Sequence, residues 1–350
     1  MSRTNVRFAL RLLLICSTAA VVPASAQHFE QIDSEGPQLS YVAAGRSEVW
    51  GLHFPGGEIY RLNPSTKKFL KVNGSLSQVA AGGGSLLEPD VVWGVNGAGV
   101  FSFSCTNASG KSCSYTPHNP PGSTYFFQIA VGEGDEDASA GGSDGCHPYE
   151  VWGLAASAPG SSGLPYRYNY CEGGFDQISL PLNSTTPFTH IATGGSDTWA
   201  LDANAHIWHY NQYDNLWFQV TKGGYYGTLQ QITVGVNDVW GLDGNGTVYR
   251  YDPNTATFVL IQSGSTVDVA QIAAGGDGVW AIAASSPGSG DCNVSRFQSY
   301  GQPTSAPPAG GGFQGFCLSS SQDATQVAVG SGAGIWVVNN AGQVNAWVRP

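Results

Sequence analysis

Residues 231–251 read QITVGVNDVWGLDGNGTVYRY, and the same order of residue types returns along the chain. QIAAGGDGVWAI begins at Gln271 and QVAVGSGAGIWVV at Gln326. Aligned on the tryptophan that follows the glycine, the copies bring Trp50, Trp93, Trp152, Trp199, Trp240, Trp280 and Trp336 into register. The intervals are 43, 59, 47, 41, 40 and 56 residues, taken as differences of those numbers. A period of about 40 to 50 residues is that of a propeller or another repeat array. The longer intervals carry insertions, GEGDEDASAGGSDGCHP in one and SYGQPTSAPPAGGG in another.

Within a copy the apolar period is two. TVYRY and GVFSF alternate as strands do, and LDGNGTVY and VNGAGVF carry Gly-rich hairpin turns. FVLIQ and WFQVT supply a fourth strand. Each copy is therefore four short antiparallel strands, one propeller blade. The expectation is an all-β, seven-bladed β-propeller occupying residues 27–350 as a single domain. The small residues of the I-A-x-G stretch suit an inner strand crowded at the axis, and each Trp suits the core between neighbouring blades. The last copy, GIWVVNNAGQVNAWV, stops before a fourth strand, while HFEQI near residue 28 has no blade before it. Pairing the two completes the seventh blade and removes a free sheet edge.

Charged residues make up only 11% of the 350, Gly numbers 48, and the formal net charge is -11. That composition favours strands and turns over helices. It argues against nucleic acid as a partner, because phosphate binding needs clustered Lys and Arg. Arg3, Arg7 and Arg11, the apolar run LLLIC and the A-x-A site at Ala24 and Ala26 form a secretory leader, with cleavage expected before Gln27. No segment is long enough to span a membrane. The mature chain is expected to be exported, to the periplasm or the outside of the cell. Cys16 leaves with the leader. Six cysteines remain and in principle allow 15 pairings. Strand register selects among them: Cys105 with Cys113, Cys146 with Cys171, and Cys292 with Cys317, each at facing ends of adjacent strands of one blade. No C-x-x-C zinc spacing occurs.

The order I-A-x-G, V-W-G-[LV]-[ND], Gly turn, [IV]-Y-R-Y resembles the tectonin repeat of fish egg lectins, tachylectin-type horseshoe crab lectins and fungal and slime-mould tectonins. QITVGVNDVWGLDGNGTVYRYD is the best copy, and the resemblance covers residues 28–350. The copies at Trp199, Trp280 and Trp336 depart from it by lacking the Trp-Gly pair. The resemblance implies binding, of cell-surface or bacterial-envelope saccharides in several members and of protein partners in others. WD40 and Kelch signatures fit less well. The seven-bladed streptogramin lyases are the enzymatic rival.

Aromatic rings stack on the C–H faces of sugars, while Asn, Asp and backbone groups bond the hydroxyls. The densest candidate set is Trp208, Tyr213, Asp214, Trp217, Tyr225 and Tyr226. Related clefts in several blades would make binding multivalent. Asp135, Asp137 and Ser139 have the alternate spacing of a calcium loop without its central Gly or closing Glu. Ser143 sits in a G-x-S-x-G pattern without the strand and helix that a nucleophile elbow needs. His206 and His209 flank Trp208. No repeated His-x-Glu or His-x-His pattern accompanies them, so a general base has no evident partner. The sequons at Asn73, Asn107, Asn183, Asn245 and Asn293 read as Asn- and Gly-rich turns. The functional expectation is a non-enzymatic, cofactor-free lectin-like propeller recognising a glycan or envelope saccharide. A protein-interaction scaffold and a lyase-like enzyme are the alternatives.

Overall fold

Alternating strands separated by Gly, Asn and Asp turns fold as hairpins, and the chain follows that pattern throughout. The computed structural model describes residues 27–83, 90–97, 99–105, 113–119, 125–132, 149–157, 162–195, 197–222, 227–261, 268–284, 292–299, 311–318 and 322–348. Among them every regular element is a strand. Blade 1 runs Tyr41–Ala44, Val49–His53, Glu58–Asn63 and Lys68–Ser75 from the axis outwards. Blade 2 is Gln78–Gly82, Val91–Val95, Val100–Cys105 and Cys113–Pro117; blade 3 is Tyr125–Val131, Val151–Ala156, Leu164–Asn169 and Gly174–Gln177. Blade 4 comprises Phe188–Gly194, Asp197–Asp202, Ile207–Asn211 and Leu216–Lys222. Blade 5 comprises Gln231–Val234, Val239–Leu242, Val248–Asp252 and Thr257–Leu260. A short parallel bridge from Thr221 and Lys222 to Thr257 and Phe258 joins these two outer strands. Blade 6 is Val269–Gly275, Gly278–Ala283, Val294–Ser299 and Gly311–Phe316.

Blade 7 uses Ala324–Val329, Ile335–Asn339 and Val344–Val348, and its outer strand is His28–Ile32. The pairing runs antiparallel from His28 opposite Val348 to Ile32 opposite Val344. The two ends of the chain thus close the ring as the sequence predicts. The inner strands of blades 1 to 7 each neighbour the next, and the seventh neighbours the first. This is a β-propeller. Both disulfides that fall wholly among the described residues lie within a blade as expected, Cys105–Cys113 across directly opposed residues and Cys292–Cys317. Cys171 is also disulfide-bonded; its expected partner, Cys146, lies outside the described residues. Disulfides are the chemistry of an oxidising compartment. Among the described residues no helix is long and apolar enough to cross a membrane.

The core lies between blades. Each repeat tryptophan belongs to a cluster shared with the following blade: Trp50 with Val79 and Val92, Trp152 with Phe188 and Ile191, Trp199 with Ile232 and Phe258. All seven are buried. Trp280 packs on Phe29 and Trp347, so the blade completed by the N-terminal strand is also the one that seals blade 6, and Trp336 closes the series against Val42 and Val49 of blade 1.

Nearer the axis a second device ties blades together. The side-chain amide of Gln231 accepts from the Ile272 N–H (3.0 Å) and donates to the Ile272 carbonyl (2.9 Å) in the next blade. Gln128 does the same to Ile191, at 2.9 and 3.0 Å, and Gln326 to Val42, at 3.0 Å each. Gln271 reaches Val327, and Gln78 accepts from the Ile129 N–H. A side-chain hydrogen bond between Tyr41 and Gln78 supplies the link from blade 1 to blade 2. Blade 4 carries His190 at this position. Its Nε2 meets the Ile232 carbonyl at 3.0 Å, and its Nδ1 lies 3.2 Å from the Gln128 amide nitrogen. The seven links form a closed belt. Further out, Asn293 adds another between blades 6 and 7, bonding the Ala324 N–H and carbonyl at 2.9 Å each.

Burial holds the His190 imidazole below its ordinary pKa, against the opposing pull of its bond to Ile232. The folded state therefore binds fewer protons there than the unfolded chain does below about pH 6.5. Stability is expected to fall as pH drops through that value. In His190→Gln, urea unfolding followed from pH 7.5 to 5 should show a shallower decline, because the substituted glutamine does not titrate and restores the amide pair. An unchanged slope would show that His190 does not contribute.

Candidate ligand-binding cavity

In an antiparallel pair, directly opposed side chains on one face are the contact unit. Opposite the repeat tryptophan on the third strand stand Arg61, Arg167, His209, Arg250 and Arg296 in blades 1, 3, 4, 5 and 6. Two residues before the tryptophan stands an acid in blades 1, 3, 4 and 5: Glu48, Glu150, Asp197 and Asp238. Where the acid is glutamate, three groups lock together. Glu48 accepts from Arg61 Nε (2.9 Å), Arg61 Nη2 (2.6 Å) and the Trp50 indole N–H (2.7 Å). Glu150 holds Arg167 and the Trp152 indole in the same way, at 3.1, 2.5 and 2.6 Å. The guanidinium carbons of Arg167, Arg250 and Arg296 lie 5.7, 5.6 and 5.9 Å from the centroids of Trp152, Trp240 and Trp280. His209 stacks on Trp199 at 4.3 Å and meets Asp197 at 3.2 Å.

Blade 2 has neither member of this pair. Val91 takes the place of the acid, and Ser102 stands opposite Trp93. Here His118 takes the place against the indole, and beside it lies a cavity of about 480 Å³ bounded by blades 1, 2 and 3. Its aromatic wall comprises Trp50, Trp93, Phe103, Tyr149, Tyr168 and Tyr170, and its polar groups come from Glu48, Asp90, Ser102, Ser104 and His118. His118, just past the outer strand of blade 2, leans on Trp93 with ring centroids 4.8 Å apart. Its Nε2 is 2.8 Å from the Ser102 hydroxyl and its Nδ1 is 3.1 Å from the Tyr168 hydroxyl. Burial lowers its pKa, and a bond to the Gly173 backbone works the other way; the imidazole is neutral at pH 7. Burial, aided by Tyr168 and Tyr149, pushes the Tyr170 phenol far above its ordinary value, so it stays an O–H. Asp90 is buried at 8% exposure and accepts the backbone N–H groups of Arg46, Ser47 and Glu48 at 3.0, 2.8 and 2.7 Å. It fixes the turn of blade 1 while its carboxylate borders the cavity.

A second cavity, about 280 Å³, is the axial channel. Inner-strand residues line it. His190 is its one histidine among the described residues, and both ring nitrogens are engaged in the belt. Among the described residues no group of three or more His, Cys, Asp or Glu is placed to hold a metal ion. Asp135, Asp137, Ser139 and Ser143 lie outside them.

The aromatic cluster expected in blade 4 divides. Trp208 and Trp217 are buried in the core shared by blades 3 and 4: Trp208 donates its N–H to Asp202 (3.1 Å), and Trp217 packs edge-on to Trp152 and Phe188. Tyr213, 79% exposed, and Asp214 sit on the outer turn of the blade. Tyr225 and Tyr226 lie outside the described residues. A period-two strand sends alternate aromatics inward, so the density of rings in this stretch is core. His206 and Trp208 share one face, both meeting Asp202, as their spacing predicts. The blade 2 cavity was missed although its signal is present. GVFSF has serine where TVYRY and LPYRY have arginine.

No protein-family model matches the sequence, and the comparison with curated proteins returns no match. Solved structures do match. Human WBSCR16 aligns with a TM-score of 0.59 and 12% identity over 91% of this chain and 88% of that one. A streptogramin B lyase aligns at 0.58 and 12% over 92% and 97%. The β-propeller domain of Cps50 (Swd1) from Myceliophteria thermophila aligns at 0.61 and 8% over 92% and 99%. At these identities the likeness shows the fold alone, and the fold is the β-propeller.

The comparison between blades makes its own prediction. Asp238 is one methylene shorter than Glu48, its carboxylate lies 3.8 Å from Arg250, and the buried Trp240 N–H has no acceptor among the described residues. Asp238→Glu should bring the carboxylate to both and raise the unfolding free energy by about 1 kcal/mol. A urea titration with an unchanged midpoint would refute that geometry.

Proposed function

We propose that this propeller is an exported, lectin-like recognition module whose principal site is the blade 2 cavity, and that it binds a glycan without transforming it. The observation that carries the reading is the wall of that cavity. Six aromatic rings stand around it, of which Phe103, Tyr149 and Tyr170 are partly exposed and present apolar surface for the C–H face of a sugar, and the Ser102 and Ser104 hydroxyls and the Tyr149 and Tyr170 phenols stand beside them to bond its hydroxyls. Ligand sites of this kind are concave, mostly apolar and sparingly polar, in a volume range of about 300–1,000 Å³. The resemblance of the repeat to tectonins points the same way, and the disulfides and the leader sequence fit an exported protein. The site is not multiplied by the repeat. In blades 1, 3, 4, 5 and 6 the corresponding position holds Arg or His against the tryptophan. Binding therefore centres on one site, and the multivalent expectation gives way to this reading.

The repeat also supplies the test. Val91→Glu with Ser102→Arg rebuilds in blade 2 the pair that blades 1 and 3 already carry, and so fills the cavity with a device native to the fold. The mature chain, residues 27–350, is expected to bind a related group of saccharides on a glycan array, and the double variant, folded by circular dichroism, to lose that binding at least tenfold. A blank array with folded protein would defeat the glycan reading. Retained binding by the filled variant would place the site elsewhere.

A further inference from the structure

We infer that Ser102 and His118 form a nucleophile–base pair, and that the blade 2 cavity accepts small uncharged carboxylic esters whose acyl group Ser102 takes up and water then releases. This goes beyond the recognition reading and does not rest on it, because the substrate is an ester guest and not the glycan.

A serine hydroxyl is a weak nucleophile until a base within hydrogen-bond reach, itself held by a third group, activates it. Blade 2 assembles those three parts where blades 1, 3, 5 and 6 keep an arginine. Its third strand sets Ser102 opposite Trp93. His118, 16 residues further on, packs against the same indole with ring centroids 4.8 Å apart. Its Nε2 lies 2.8 Å from the Ser102 hydroxyl, within the reach that proton transfer needs. The rest of the ring is committed to blade 3. Nδ1 lies 3.1 Å from the Tyr168 hydroxyl, and the imidazole bonds the Gly173 backbone. The bond to Gly173 favours the protonated ring, so the imidazole donates in it. With Nε2 facing Ser102, the donating nitrogen is Nδ1, and the Nε2 lone pair is left for the Ser102 proton. Blade 4 gives the contrast. His209 stands opposite Trp199 but meets a carboxylate, Asp197 at 3.2 Å, rather than a hydroxyl.

The pair is placed to meet a guest. Ser102 and His118 are half-buried, and both line the cavity. Burial keeps the imidazole neutral at pH 7, the form that accepts a proton. Ser104, two residues along the strand and so on the same face, adds an exposed hydroxyl that can donate to the carbonyl oxygen as it gains charge. Phe103, Tyr149 and Tyr170, each partly exposed, supply apolar surface for the carbon parts of the ester. Glu48 and Asp90 border the cavity and the described lining residues include no Lys or Arg, so an acidic guest finds no partner.

The chemistry needs only water as co-reactant. Ser102 Oγ bonds to the acyl carbon while its proton passes to His118 Nε2. The bond from that carbon to the alcohol oxygen breaks, and the leaving oxygen takes the proton from His118. Water then adds to the acyl-serine, giving its proton to His118. The serine ester bond breaks, Ser102 regains its proton, and the carboxylic acid leaves. Nothing is oxidised or reduced.

The test incubates the mature chain, residues 27–350, with a fluorophosphonate, which forms a P–O bond to an activated serine and expels fluoride. Peptide mass spectrometry locates the adduct. One adduct is expected, on Ser102, and His118→Gln is expected to slow its formation roughly a hundredfold, the lower end of what a general base contributes. With p-nitrophenyl acetate, release of p-nitrophenolate should fall roughly tenfold or more in Ser102→Ala and several-fold in Ser104→Ala, each variant folded by circular dichroism. An unlabelled Ser102 in the folded wild-type chain, or labelling at an equal rate in His118→Gln, overturns the inference and leaves the glycan reading to the array. A labelled Ser102 together with a blank array supports this inference and defeats the glycan reading alone.

Discussion

The ring depends on the belt of side-chain amides around its axis. An inner strand is the edge of its own blade, and an edge strand presents backbone N–H and C=O groups that must find partners. The inner strands of adjacent blades neighbour one another without laddering, so the backbone cannot satisfy itself across the gap. A glutamine at the start of the strand solves this, because its carboxamide presents one acceptor and one donor in the spacing of a peptide group. Gln128, Gln231 and Gln326 each take both groups of one residue in the next blade. With the blades pinned at this radius, the residues that follow in each inner strand must be small. A Cβ on Gly194 would lie 2.6 Å from the Val234 carbonyl oxygen, and one on Gly275 2.6 Å from that of Val329. The I-A-x-G signature is thus a consequence of the belt.

The same logic explains the Trp-Gly pair and its exceptions. A Cβ on Gly51 would lie 2.3 Å from Leu39, and one on Gly241 2.3 Å from Leu229. The glycine is a socket for a large residue two positions before the belt residue. Where the socket residue is larger, its partner can be smaller. Blade 6 sets Ala281 with Val269 at these positions, and blade 7 sets Val337 with Ala324. Conserving the volume of a packed core tolerates such exchanges. The copies at Trp280 and Trp336 have exchanged volume between two strands while keeping the interface; the copy at Trp199 has not, setting Ala200 with the larger Phe188.

This separates what could be read in the sequence from what could not. The blades, their order, the closure by residues 28–32 and the two described disulfides follow from a period-two pattern repeated seven times, and local patterns of that kind survive folding. The tryptophans were read as inter-blade core from the same pattern. The cavity was not found, because it is made by what blade 2 omits. Ser102 and Val91 are unremarkable as residues, and only alignment with Arg61 and Glu48, or Arg167 and Glu150, gives them meaning. Aromatic density pointed to blade 4 instead, where Trp208 and Trp217 are spent on the core. His118, Tyr168 and Tyr170 come from segments up to 52 residues apart by their numbers, and the sequence offers no local sign that they meet.

Loss of the pair does not by itself make a site, and blade 7 shows why. There the acid is replaced by Gly334 and the arginine by Ala346. Trp336 finds its acceptor in the Ala333 carbonyl at 2.7 Å, and Ala333, Ala346, Tyr60 and Leu62 pack against its cluster. Blade 7 answers the vacancy with apolar side chains and becomes ordinary core. Blade 2 surrounds it with phenols, hydroxyls, a neutral imidazole and a buried carboxylate, polar groups that are costly to enclose unless bonded, and the protein bonds them: His118 to Ser102 and Tyr168, and Asp90 to the turn of blade 1. Two blades made the same deletion: in blade 7 apolar side chains fill the position, and in blade 2 His118 packs on the indole beside a cavity with a mixed aromatic and polar lining.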